Sequence, residues 1–205
     1  FGFPIAPLRL WDRDIVKSRS GFLFPRPEAL LLMLCVHGAK DLWGQLKWIC
    51  DVAELLRVYK GLDWKKTTEL AYDSGGRRML LLGLLLAKDL FDTPIPEEIR
   101  KEIESDPEVR RLATKVEEGL FEKSNGSGGI LRSSLFYVRV RERLRDRIRY
   151  CTDLAITTTP GDWALLKLPR FLFPFYFLIR PLRLIKKYGI GESYSASFTD
   201  WWSSE

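Results

Sequence analysis

His37, the chain's single histidine, stands three residues before Lys40, and Lys47 and Asp51 follow four residues apart, all within CVHGAKDLWGQLKWICDVAELL. On a helix, spacings of three and four place side chains next to one another on one face. An imidazole, two ammonium groups and a carboxylate brought together in this way can hold phosphate oxygens or orient a proton carrier. Trp43 and Trp48 add aromatic surface to the same stretch. A plainer account uses the same residues: a core histidine, lysines whose stems run over apolar surface, and a Lys47–Asp51 helix pair. Polar groups stranded in a buried helix cost about 2–7 kcal/mol each, so the pattern leaves site and tolerated polarity evenly balanced.

Several other chemistries lack their residues. Cys35 and His37 are two apart, but no further Cys/His cluster completes a zinc shell, and no metal ligands are expected in this chain. No Walker A loop, dinucleotide fingerprint, H-E-x-x-H or G-x-S-x-G occurs. Asp12-Arg13-Asp14 has the D-x-D spacing that holds magnesium in nucleotidyl transferases. It follows neither a Gly-Ser turn nor a hydrophobic strand, and reads as solvated loop charge. Three cysteines are odd in number and sparse, which fits a reducing cytoplasm better than a disulfide framework. No apolar run reaches the 18 or so residues that span a bilayer.

The elements that must position these residues read as helices, and strands are hard to find. The expected fold is mainly α: a helical bundle with a basic C-terminal helical extension. Residues 1–26 are proline-spotted and read as a connecting lead. PEALLLMLCVHGAKD opens with Pro27 and Glu28 and is then apolar on all sides, as a central helix is. QLKWICDVAELLRVYKG follows, with Leu46, Ile49, Cys50, Ala53 and Leu56 on one face and Gly61 closing it. Asp63 reads as the N-cap of a third helix that ends at Gly75-Gly76. RRMLLLGLLLAKDLFD is apolar all round and must be internal. TPIPEEIRKEIES and DPEVRRLATKVEEGLFEK are charged and belong to the outer layer, completing a bundle domain over 27–123.

SNGSGG, 124–129, reads as a linker to the extension, 130–189, and a tail, 190–205. The charge is lopsided. Residues 1–129 carry 20 basic and 20 acidic side chains, whereas 130–205 carry 13 and 7, so the net +6 lies in the last part of the chain. Seven arginines fall between Arg132 and Arg149. A helix there would align Phe136, Val140, Leu144 and Ile148 on an apolar stripe and leave arginines on the surface, with Arg139, Arg143 and Arg147 as an anion-binding patch. FLFPFYFLI, flanked by basic residues, is too short to span a bilayer and suits either an interfacial anchor at an anionic membrane or docking onto protein.

PEALLLMLCVHGAKDLWGQLKWICDVAELL, the LDW after it and GGRRMLLLGLLLAKDLFDTPIPEEI resemble the uncharacterised bacterial nucleotidyltransferase family of the polymerase-β-like superfamily. The lead FGFPIAPLRLWDRD and the tail DWALLKLP…FYFLIRPLRLIKKYG are similar to its flanks. The resemblance implies an α/β nucleotidyltransferase module ahead of the helices, whose Gly-Ser turn and D-x-D carboxylates bind Mg2+ and an NTP. No such module stands before residue 27, so the chain is expected to be the C-terminal helical part of a longer α/β plus helical protein, with that module and a nucleotide as its partners. In that setting His37, Lys40, Lys47, Trp48 and Asp51 would face the active-site cleft, a lysine touching triphosphate oxygens and Asp51 orienting His37 or Lys47. The competing reading is a non-enzymatic helical adaptor that binds an anionic membrane, or less readily nucleic acid, through its arginine helix and aromatic tail. The expected location is cytoplasmic, with peripheral membrane contact on the second reading.

Overall fold

Two leucine-rich runs with no polar face decide the architecture, because a helix that is apolar all round has to be wrapped by others. In the computed structural model, which describes residues 15–17, 23–121 and 135–156, one of these runs is the hub. The elements are strands β1 (Ile15–Lys17) and β2 (Leu23–Pro25), then helices α1 (Pro27–Lys40), α2 (Leu46–Val58), α3 (Trp64–Ser74), α4 (Arg77–Phe91), α5 (Glu97–Ser105) and α6 (Pro107–Phe121). A helical turn over 135–139 precedes α7 (Leu144–Ile156). All nine residues from Met79 to Ala87 of α4 are buried, and α1, α2 and α6 pack most closely around it. Each leucine taken fully out of water there contributes about 1.5–3 kcal/mol. The mainly helical bundle expected from the sequence is the fold observed.

The helix ends follow local chemistry. Pro27 begins α1 without losing a hydrogen bond. Asp63 caps α3, its carboxylate accepting from the Lys66 amide at 3.0 Å. Gly75, left-handed at φ 74°, ends α3, and the Gly76 amide closes the turn on the Ala71 carbonyl at 2.8 Å. Asp106 serves two neighbours: it accepts from the Glu108 amide at 3.1 Å at the head of α6 and from Arg78 Nε at 2.9 Å.

Three expectations need correction. The connecting lead contains strands: Ile15, Val16 and Lys17 pair antiparallel with Pro25, Phe24 and Leu23. Three-residue strands are too short to show the alternation that betrays a strand in sequence. The buried face of α2 is Ile49, Val52, Leu55 and Leu56, with Leu46 42% exposed, and the helix stops at Val58, before Gly61. The largest difference concerns the arginine segment, which breaks at residues 140–143 instead of continuing as one helix. Phe136 and Val140 enter the core, but Leu144 and Ile148 are 70% and 57% exposed. The break arises because Arg141, only 1% exposed, turns inward; its guanidinium donates to the Tyr137 carbonyl at 2.5 Å and lies 4.4 Å over the Tyr150 ring. The linker at 124–129, the D-x-D at 12–14, the aromatic segment at 163–189 and the tail at 190–205 lie outside the described residues.

Trp43 is fully buried and wedged between α1 and α4. A Cβ at Gly38 would come within 2.5 Å of the indole, and one at Gly83 would meet Cys35 Sγ at 2.6 Å and the indole at 3.0 Å. Gly119 in α6 has open space around it. Replacing a helical glycine with alanine normally gains about 0.5–1 kcal/mol, whereas overpacking costs about 1–3 kcal/mol. Gly38→Ala is therefore expected to lower the unfolding free energy by about 1–2 kcal/mol, and Gly119→Ala to raise it by a few tenths to about 1. Parallel chemical denaturation curves check both signs.

Candidate functional site

Helix α1 carries His37 and Lys40 on its last turn, where the negative end of the helix dipole suits cations. The chain then reverses through Asp41–Gln45 into α2, and Leu42 and Trp43 adopt left-handed backbone at φ 58° and 53° to do so. The Trp43 amide donates to the Gly38 carbonyl at 2.7 Å, locking the reversal. This turn sets the first residues of α2 beside the last turn of α1. The His37 ring meets the Trp48 ring edge-on, with centroids 5.6 Å apart and planes at 77°. Lys47 Nζ lies 5.8 Å from the Trp48 ring centroid. Asp41 Oδ2 is 3.4 Å from His37 Nδ1. His37, Asp41, Trp48 and Lys47 thus form one strip along the mouth of the hairpin.

His37, Lys40, Lys47 and Asp51 are all exposed, His37 with 54% of its side chain in solvent. The core-histidine account therefore fails, and so does the desolvation cost that would have weighed for a site. Lys47 and Asp51 form no ion pair. The resemblance implies Asp51 beside the imidazole, whereas the acid in that place is Asp41. Its spacing of four from His37 was the available signal. The Lys40 carbonyl receives a hydrogen bond from the Tyr137 hydroxyl at 2.5 Å, 97 residues away, which brings the arginine segment to the same end of α1.

Asp51 belongs to a neighbouring groove of about 890 Å³, bounded by α2, the start of α3 and the loop after α4. Tyr59, Trp64 and Phe91 line it with Asp92 and Thr93. Sequence reasoning missed this feature altogether, since its lining comes from three separate stretches of chain.

The three arginines expected to bind anions have partners inside the protein. Arg143 donates to the Tyr72 and Asp73 carbonyls at the end of α3 and stacks 5.4 Å from the Tyr72 ring. Arg147 Nε donates to the Arg141 carbonyl at 2.6 Å, and Arg139 Nε is 3.6 Å from Glu108 Oε1. Arg78 adds a bond from its guanidinium to the Arg139 carbonyl at 2.7 Å. In the core, burial raises the Cys35 thiol far above its ordinary range, so that it stays protonated and inert.

Among the described residues no group of three or more His, Cys, Asp or Glu side chains is placed to hold a metal ion. No described helix is long and apolar enough to cross a membrane. Residues 2–92 match the model of a family described as uncharacterised nucleotidyltransferase. The matched span runs from the lead to the end of α4 and takes in His37, Lys40, Lys47, Trp48 and Asp51, whereas the arginine segment lies beyond it. Neither a curated protein nor a solved structure matches the chain.

Because the chain has one histidine, its imidazole protons give a single, assignable set of NMR signals. Trp48→Leu should move those signals through loss of the indole ring current, and Lys47→Ala should leave them nearly in place. Unmoved signals in Trp48→Leu would show that the strip does not form in solution.

Proposed function

We propose that the chain is the helical, nucleotide- and substrate-binding portion of a nucleotidyltransferase, which transfers a nucleoside monophosphate from an NTP to an acceptor. The observation that carries this reading is the match of residues 2–92 to a nucleotidyltransferase family, over the stretch that builds the His37–Trp48–Lys47 strip. Lys47 and Lys40 are exposed ammonium groups at the mouth of the α1–α2 hairpin, suited as point charges to phosphate oxygens. Asp41 Oδ2 approaches His37 Nδ1 at 3.4 Å and the Trp48 ring meets the imidazole edge-on, so that both neighbours orient the ring. The role of orienting the imidazole passes from Asp51 to Asp41.

The described residues do not offer a ligand set for Mg2+, and no step of the transfer is assigned to a metal held by these helices. On this reading the magnesium and its carboxylates belong to the nucleotidyltransferase module that the family implies as partner. The helices here contribute charge, orientation and acceptor contacts. In-line displacement depends mostly on such positioning and on neutralising phosphate charge.

Calorimetric titration with ATP tests the reading on the full-length protein. Lys47→Ala should weaken ATP about tenfold or more, as loss of a charge-assisted hydrogen bond worth about 1.5–3 kcal/mol requires. The melting temperature should be unchanged, since Lys47 is exposed and forms no ion pair among the described residues. Equal ATP affinity in variant and parent would overturn the assignment of Lys47.

A further inference from the structure

The groove that takes Asp51 has features of a binding site in its own right. Its volume, about 890 Å³, falls in the range of small-molecule sites. Two of its aromatic walls are left largely open to solvent, Tyr59 at 47% and Phe91 at 41%, and Trp64 stands half-buried between the helices. Thr93, only 6% exposed, also lines it, and the Thr93 hydroxyl has no hydrogen-bond partner among the described residues. Asp92, at the end of α4, holds left-handed backbone at φ 48°, a conformation that aspartate tolerates better than most residues.

Charge selects the ligand. Glu54 and Arg57 neutralise each other through two hydrogen bonds of 2.8 and 2.6 Å. That leaves the carboxylates of Asp51 and Asp92 against the single ammonium of Lys60, none of the three with an ion-pair partner among the described residues. Two helix C-termini (α2 and α4) and two N-termini (α3 and α5) meet at the groove, so their dipoles offset and the side chains decide. A phosphate or carboxylate would face net negative charge. A protonated amine would find two carboxylates and aromatic faces, which attract cations through the ring quadrupole.

We infer that this groove binds a small cationic amine with a ring-sized apolar body, its ammonium between Asp51 and Asp92, its body against Tyr59, Trp64 and Phe91, and a polar substituent on the Thr93 hydroxyl. Asp51 lies one helical turn from Lys47, so such a ligand is placed as the acceptor of the transfer. That role rests on the nucleotidyltransferase reading, whereas binding does not.

The test uses tyramine and, as its anionic counterpart, 3-(4-hydroxyphenyl)propionate, each titrated calorimetrically into the full chain at low salt without NTP. Tyramine is expected to bind and the propionate not. The Asp51→Asn/Asp92→Asn double variant should weaken tyramine about tenfold or more while the melting temperature holds, both positions being exposed. Thr93→Ser should keep the affinity that Thr93→Val loses, which separates the hydroxyl from packing. Absence of tyramine binding, equal binding of the two probes, or unchanged affinity in the double variant overturns the inference. A final arm adds ATP: tyramine binding without ATP binding would sink the transfer reading and leave the groove standing.

Discussion

Trp43 sets how the helices of this protein meet. Its ring occupies the space that two missing side chains leave on α1 and α4, at Gly38 and Gly83. Burying an indole removes about 150–250 Å² from water, about 4–6 kcal/mol at 25 cal/mol per Å². Against that stand two left-handed residues, Leu42 and Trp43, at about 1–2 kcal/mol each, and a buried indole Nε1 without a partner among the described residues, at about 1–3. The terms nearly cancel. Trp43 therefore adds little net stability and a great deal of definition, because its ring fits where Gly38 of α1 and Gly83 of α4 both lack a side chain.

That definition is what places the His37–Trp48–Lys47 strip. The hairpin turn that sends Trp43 inward is the same turn that carries Asp41 outward and starts α2 beside α1. His37 and Trp48 meet because the two helices emerge from the turn at a fixed distance. A looser hairpin with the same residues would have the same composition and no strip.

Much of this was legible in the sequence where chemistry is local. Asp63 and Gly75 announced the ends of α3, and the leucines of α4 announced a helix surrounded by others. What failed depended on long-range partners. Leu144 and Ile148 have the spacing of a buried stripe, yet Arg141 goes inward in their place, held by Tyr137 and Tyr150. Nothing in the alternation of arginines marks one of them as the buried member. Trp43 and Trp48 looked equivalent from sequence, and the glycines opposite Trp43 make it core while Trp48 lies beside His37. The groove was illegible for the same reason: Asp51, Thr93 and Trp64 share no periodicity.

The arginine segment is fastened to the bundle in an unusual currency. Tyr137 bonds to the Lys40 carbonyl, Arg143 to the carbonyls of Tyr72 and Asp73, and Arg78 to the carbonyl of Arg139. In each case the acceptor is main chain, which every amino acid supplies. The receiving positions can therefore drift in identity without loosening the joint, so long as the helix ends beneath them keep their shape. For these bonds the identity of the receiving residue carries no information, and the trace they leave in sequence is the donors.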